Sequence, residues 1–374
     1  MSLDSLFKRA FGDDEPSDLG TGWVSGVVSV VCGVLSLGGV LCFHFPALLT
    51  APRLRAEYPI DALRALLQGV IILAFALGVA SALRRKRKVL GLTGISLAAL
   101  ATALGGATVP LPDTVEGTMA IGLEWFLLNL LVLTVVFVPL ERAFPRDPNQ
   151  LVFRAGWTTD GVHFLVSHLL VQLFSVVSLT PALALREQLV PASLLSAVGG
   201  LSLWIQVPAV ILLADLTQYA VHRSFHQVPL LWRFHAVHHS SEQLDWIAGS
   251  RLHLVDALAT RTLATLPVIA LGFSPAAITA YLGFVSFHAV FIHTNVRFKL
   301  EWLEQLLVTP RIHHFHHADE SEAIDTNFAV HFPFIDRALG TQFLPPGRWP
   351  RAYGIADKSA PPGWLGQLAW PFRR

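Results

Sequence analysis

From residue 23 onward the chain is built of long apolar runs separated by short polar breaks. A helix needs about 20 mostly apolar residues to cross a bilayer. The segments 23–48, 62–83, 89–110, 119–140, 162–183 and 203–222 meet that length. The first carries no charged side chain, Glu124 lies near the start of the fourth, and His163 and His168 fall in the fifth. A further apolar stretch, 262–287, is interrupted by "GFSP" at 272–275, where Ser274 can cap a helix and Pro275 can open it. The pattern predicts a hairpin that dips partway into the membrane and returns to the same face, with arms of roughly 10 to 18 residues. Residues 187–202, apolar but broken by Pro and Gly, read as an interfacial loop.

Composition agrees with the pattern. The chain is 53% apolar and only 14% charged, with a mean hydropathy of +0.54, whereas soluble domains carry about 25% charged residues. This is an integral membrane protein by composition. The formal net charge of +1 points to no nucleic acid. Cys32 and Cys42 cannot build a disulfide framework, a zinc ribbon or an iron–sulfur cluster. The polar, acidic N-terminus is not a signal peptide.

Charge sets the expected orientation. The run "RRKRK" at 84–88 belongs on the cytoplasmic side. Counting helices from it puts the N-terminal segment 1–22 inside, the 111–118 loop with Asp113 and Glu116 outside, and loop 141–160 with Arg142, Arg146 and Arg154 inside. Arg53 and Arg55 dissent, but five consecutive basic residues outweigh two. The sixth helix then delivers "HRSFH" at 222–226 to the cytoplasmic surface, and a bacterial inner membrane is the expected location.

Thirteen of the sixteen histidines lie between His222 and His331, where a uniform spread would place about five. Their spacing is helical. His222 and His226 stand i, i+4; His235, His238 and His239 stand i, i+3, i+4; His313, His316 and His317 repeat that pattern. Residues so spaced share one helix face, so eight imidazoles can converge from three helices. Asp215 and Tyr219 lie on the His222 stripe. A single zinc takes about four ligands, so eight imply two metals. Imidazole suits iron, zinc, copper and nickel; a nearly cysteine-free, histidine-dense cluster at the end of membrane helices fits a di-iron oxygen-activating site, with a redox-inert dizinc centre as the chemical alternative.

The surroundings carry a resemblance. HxxxH at 222–226 and HxxHH at 235–239 and 313–317, within "DLTQYAVHRSFH", "LWRFHAVHHSSEQLDW", "FIHTNV", "TPRIHHFHHAD" and "TNFAVHFPFIDRALGT", resemble the three histidine boxes of the fatty acid hydroxylase/sterol desaturase superfamily. The likeness covers roughly 205–365, and the first 150 residues lie outside it. It implies two irons held by His222, His226, His235, His238, His239, His313, His316 and His317, with His293 a further ligand and His288 and His253 secondary candidates. Leu254 stands where many members have proline, and Ile335 and Ala338 where the pattern favours Trp and Phe.

The expected architecture is all-α: a polytopic membrane bundle with a cytoplasm-facing helical histidine-box cap. Residues 1–22 form a cytoplasmic segment, 23–150 an additional four-helix transmembrane region, and 151–374 the catalytic domain. The resemblance implies O2-dependent hydroxylation or desaturation of a lipid C–H bond, the lipid being a sterol, a fatty acyl or sphingoid chain, an ether lipid or a carotenoid. A non-catalytic metal-binding protein or transporter on the same fold is the alternative. Neither a Cys cluster nor a GxGxxG after a strand is present, so a separate ferredoxin, cytochrome or flavin reductase must supply electrons. Asp215 is expected to orient a ligand imidazole, and Asn327 and Asp336 to brace the third box. His314 is expected in an outer or surface role, His331 as a hydrogen-bonded structural residue, His163 and His168 as satisfied bundle residues, and Glu124 as a solvated helix end.

Overall fold

The computed structural model describes residues 20–51, 59–111, 122–298, 301–355 and 360–373. Most of the acidic N-terminal segment, Arg53, Arg55, Asp113 and Glu116 therefore lie outside the described residues. Those described are nearly all helical, without a strand; two isolated β-bridges join Pro145 to Val296 and Ala318 to Tyr353. The chain divides into two compact units, residues 1–132 with 168–172, and 133–167 with 173–374.

The first unit is built on α1 (Trp23–His44), α2 (Ile60–Arg84) and α3 (Val89–Ala103). Between apolar helices in lipid, small residues set how closely backbones approach. A Cβ on Gly91 would stand 2.4 Å from the Gly78 carbonyl oxygen, so neither larger residue would fit. The Ser29 and Ser81 hydroxyls donate across the helices to the Ala74 and Gly22 carbonyls. Val40, Leu67, Ile71, Ala74 and Ala98 fill the core, while Leu66, Ile72, Leu73 and Phe75 face outward. Outward apolar side chains are what a lipid solvent requires. Glu124 corrects the expectation of a solvated helix end: it is buried, and its carboxylate accepts the Ala51 amide.

Helix α4 (Leu123–Ala143) leads into the second unit. The fifth expected span is broken near Leu170 into α5 (Trp157–Leu169) and α6 (Val171–Leu189). Among the described residues, five helices are long and apolar enough to cross a membrane: α1, α2, Val89–Thr108, α4, and Leu203–Gln227. The expected loop at 187–202 instead holds a short helix, α7 (Ala192–Gly199), which Pro191 precedes.

The Leu203–Gln227 helix, α8, organises the second unit. Gln206, Val210, Ala214, Asp215, Tyr219, His222 and Phe225 form its buried face, and Trp204, Ile205 and Leu216 its exposed one. The buried stripe changes from apolar to chemical along the helix. Its first half packs on the hairpin of α10 (Leu254–Ala270) and α11 (Pro275–Phe291) through Val210, Ala214, Val268, Phe273, Ala277 and Tyr281. The hairpin turn forms as the "GFSP" signal predicts, with Gly272 at φ 78 and Ser274 accepting from the Ala277 amide. Gln206 secures the turn by donating to the Leu201 carbonyl and accepting from the Ser274 amide. Between α8 and the hairpin lies α9 (Pro229–His239); α12 (Pro310–His316), α13 (Pro333–Ala338) and α14 (Trp364–Ala369) complete the unit.

Candidate metal centre

Three helix ends and one helix-following turn bring nine imidazoles together. His222 and His226 come from the last two turns of α8, His235, His238 and His239 from α9, His313, His316 and His317 from α12 and its cap, and His293 from the turn after α11. They separate into two groups: His222, His226, His235, His239 and His316; and His238, His293, His313 and His317. Within each group one ring nitrogen per residue lies within 4.8 Å of all the others. All nine side chains are buried, that of His226 being only 5% exposed. Each group draws from all three boxes or from two boxes plus His293, so neither forms without the tertiary fold.

The hydrogen bonds decide which nitrogen points inward. A carbonyl or carboxylate only accepts, so the nitrogen facing it carries the proton and the other keeps its lone pair. His222 Nδ1 donates to the Phe328 carbonyl at 2.8 Å, His316 Nδ1 to Thr326 at 2.8 Å, His238 Nδ1 to Arg251 at 3.2 Å, and His293 Nδ1 to Ala289 at 2.7 Å. His235 Nδ1 donates to the Asp256 carboxylate at 2.8 Å, and His226 Nδ1 to Asp325 at 3.1 Å. The Nε2 lone pairs therefore face one another. His222 and His235 meet Nε2 to Nε2 at 3.0 Å, and His238 and His293 at 3.3 Å. Two lone pairs at that distance repel unless a cation lies between them. His226, His239 and His316 have buried Nε2 atoms with no protein partner. Orphaned nitrogen lone pairs converging from several sides are a metal-ligating donor set.

Burial keeps these rings neutral. Desolvation, then repulsion from neighbouring imidazoles, pushes His235, His238, His239, His313 and His317 well below the usual histidine value. Burial lowers His293 to about 4. Metal ligation requires the neutral imidazole, and the fold supplies it at neutral pH.

The same accounting sorts the remaining histidines. His253 is the cap of α10: its Nδ1 accepts from the Val255 amide and its Nε2 donates to Leu368. His288 donates from Nε2 to Val308 and accepts on Nδ1 from His331 at 3.1 Å. His314 donates to Thr294 and accepts from the Tyr353 hydroxyl. Both ring nitrogens of each are occupied, and none joins a group. His314 is buried rather than at the surface.

Asp215 overturns the role expected for it. Its carboxylate touches no imidazole; it accepts the amides of Val330, His331 and Phe332. Asp336 accepts those of Phe328 and Ala329, and Asn327, at φ 58, bonds the carbonyls of Ile312 and Phe343. The Tyr219 hydroxyl meets that of Thr341 at 3.0 Å. These residues fix loop 326–332, and the loop presents its Thr326 and Phe328 carbonyls to His316 and His222. The side chains that do hold ligand imidazoles, Asp256 and Asp325, escaped the sequence pattern because no helical spacing links them to the boxes. A second bracing network is ionic. Arg154 bridges Asp245 and Asp160, and Arg251 pairs with Asp160, whose carbonyl-bearing partner Arg251 receives His238. Burial would raise Asp160, but the Arg251 and Arg154 guanidinium groups outweigh it and hold the carboxyl below its usual range.

Comparison with known proteins now decides the family. Residues 207–341 match the fatty acid hydroxylase family model. The ornithine lipid hydroxylase OlsE of Rhizobium tropici is 30% identical over 256 residues, which cover 67% of this chain and 77% of that protein. The chain belongs to the fatty acid hydroxylase superfamily. Alkylglycerol monooxygenases resemble it more locally: the Homo sapiens protein is 32% identical over 127 residues, 34% of this chain and 28% of that protein. The Danio rerio protein is 31% identical over the same length. No solved structure matches the chain. The residues matching the fatty acid hydroxylase model contain all nine grouped histidines, together with Asp215, Asp256, Asp325 and Asp336.

Proposed function

We propose that this chain is a membrane-bound di-iron hydroxylase that inserts one oxygen atom from O2 into a C–H bond of a membrane lipid, using electrons from a separate protein. The observation that carries the proposal is the pair of histidine groups with Nε2 lone pairs turned inward. Nine neutral nitrogen donors in two groups suit two divalent metals, and nitrogen donors without thiolate suit iron. The similarity to a lipid hydroxylase and to monooxygenases supports iron over redox-inert zinc, and hydroxylation over desaturation. It also favours a lipid with a polar headgroup over a sterol or carotenoid.

When bound, two irons supply the reductive activation of O2; the protein supplies placement and exclusion of water. His222, His226, His235, His239 and His316 would hold one iron, and His238, His293, His313 and His317 the other. The Nδ1 hydrogen bonds of His222, His226, His235, His238, His293 and His316 keep their Nε2 atoms aimed inward, so little reorganisation of these six accompanies the reaction. Phe328, fully buried, packs its ring against His222, His226 and His316 with centroids 5.9, 5.2 and 6.1 Å apart. Trp232 covers His226 and His239. These apolar walls keep bulk water from the first group. We also place the histidine face on the cytoplasmic side, which the basic run at 84–88 supports.

The deciding experiment joins metal analysis to comparative lipidomics. Protein purified in detergent should carry about two irons per chain, and cells expressing it should gain lipids heavier by one oxygen atom. Iron-free protein, together with a lipid profile unchanged by deletion, would refute the proposal. A loss of two hydrogens instead would make the enzyme a desaturase.

A further inference from the structure

The two histidine groups are not equivalent, and the difference is electrostatic. In the first group two imidazoles are backed by carboxylates: His235 by Asp256 at 2.8 Å and His226 by Asp325 at 3.1 Å. In the second, His238 and His293 are backed only by backbone carbonyls, and His313 and His317 have no partner on Nδ1. Other acidic side chains of this unit are committed elsewhere: Asp160 and Asp245 to Arg154 and Arg251, Asp215 and Asp336 to backbone amides, and Glu141 to the amides of Trp246 and Asn295. Asp256 is itself fixed, since it lies buried and accepts the Thr260 hydroxyl at 3.0 Å. It reaches His235 from the first turn of α10, across the interface between α9 and the membrane hairpin.

A carboxylate behind an imidazole raises the basicity of the metal-facing nitrogen and fixes its tautomer. We propose that Asp256 is a positioning residue, assisted by Asp325, that makes the group of His222, His226, His235, His239 and His316 the more electron-donating of two inequivalent metal sites. This rests on the metal-binding reading above and goes beyond it, because that reading requires only two sites. The metal held there is the one whose higher oxidation state the protein favours. Asp325 is half-exposed and sits at φ 57, while the His226 side chain it holds is buried as deeply as that of His235.

The test uses the full-length protein loaded with iron-57 and examined by Mössbauer spectroscopy, alongside iron content. Wild-type protein should give two quadrupole doublets of equal area. Asp256→Asn keeps the shape and removes the charge. It should shift one doublet, leave the other in place, and weaken iron binding at one site by about 10- to 100-fold, the usual effect of losing such a partner. Asp325→Asn, at a position exposed enough to be tolerated, should move the same doublet, and it keeps the proposal testable if Asp256→Asn does not fold. Unchanged doublets, both doublets moving equally, or the two variants moving different doublets would each overturn the inference while leaving two irons in place. Wild-type protein without iron would instead overturn the metal-binding reading itself.

Discussion

At the scale of single residues, what separates a ligating histidine from a structural one is the count of ring nitrogens already satisfied. His253, His288 and His314 each use both; the grouped rings that face carbonyls or carboxylates leave Nε2 free. Substituting a member should therefore act locally. His235→Ala should lower iron from about two per chain toward one, and His314→Ala should leave iron content unchanged while lowering thermal stability. Asp215 makes the opposite kind of contribution. Removing its carboxylate strands three backbone amides, that of His331 buried and those of Val330 and Phe332 part-buried, and a buried unsatisfied donor costs about 1–3 kcal/mol. Asp215→Ala should thus destabilise the detergent-solubilised protein severely, and the loop carrying the Thr326 and Phe328 carbonyls should become sensitive to protease. A milder probe is Gly249→Ala, whose added Cβ would stand 2.9 Å from His293 Nδ1. It should tilt that ring and reduce iron at the second group, with circular dichroism unchanged.

At the scale of elements, the histidine sets were legible because helical periodicity alone places i, i+3 and i+4 on one face, and α8, α9 and α12 obey it. The hairpin was legible from Gly272, Ser274 and Pro275 for the same local reason. What escaped was long-range: Asp256 lies 21 residues from His235, and Asp325 lies 99 from His226. No periodicity encodes such pairs. Asp215 misled because its place on the His222 stripe suggested an imidazole partner, while tertiary packing brought backbone amides instead. The short helix α14 was also hidden, since its anchors come from elsewhere. His163 Nδ1 donates to Leu252, and its Nε2 lies 2.9 Å from the Gln367 amide; His253 holds Leu368. Burial lowers His163 to about 4 against an ordinary 6.5. The unfolded chain then binds a proton that the folded one refuses as pH falls from about 6.5 toward 4. Stability from this group is complete above that window and is lost within it, up to about 3 kcal/mol at its lower end. His163→Gln should lose less thermal stability between pH 7 and pH 5 than wild type does. Subtracting the two isolates the contribution of His163 from that of the ligand imidazoles.

At the scale of the whole molecule, orientation turns on parity. With "RRKRK" inside, α2 runs inward, α3 outward and α4 inward, ending beside Arg142 and Arg146. Helix α8 then delivers its histidines inward only if the chain crosses once more between residues 144 and 202. The split of the fifth apolar segment at Leu170 leaves that crossing to α6, whose 19 residues span roughly 28 Å at 1.5 Å per residue. That is close to the hydrocarbon thickness of about 30 Å, so α6 is long enough for the crossing, although it is not among the five helices that combine length with sufficient apolarity. A single introduced thiol reads the answer. Glu242 is exposed and follows the second box closely. In intact cells Glu242→Cys should resist a membrane-impermeant maleimide, and in inverted vesicles it should react. The native Cys32 and Cys42, replaced by Ala, remove background labelling. Reaction in intact cells would mean that α6 does not cross, that the histidine face points outward, and that the electron donor must reach it from that side.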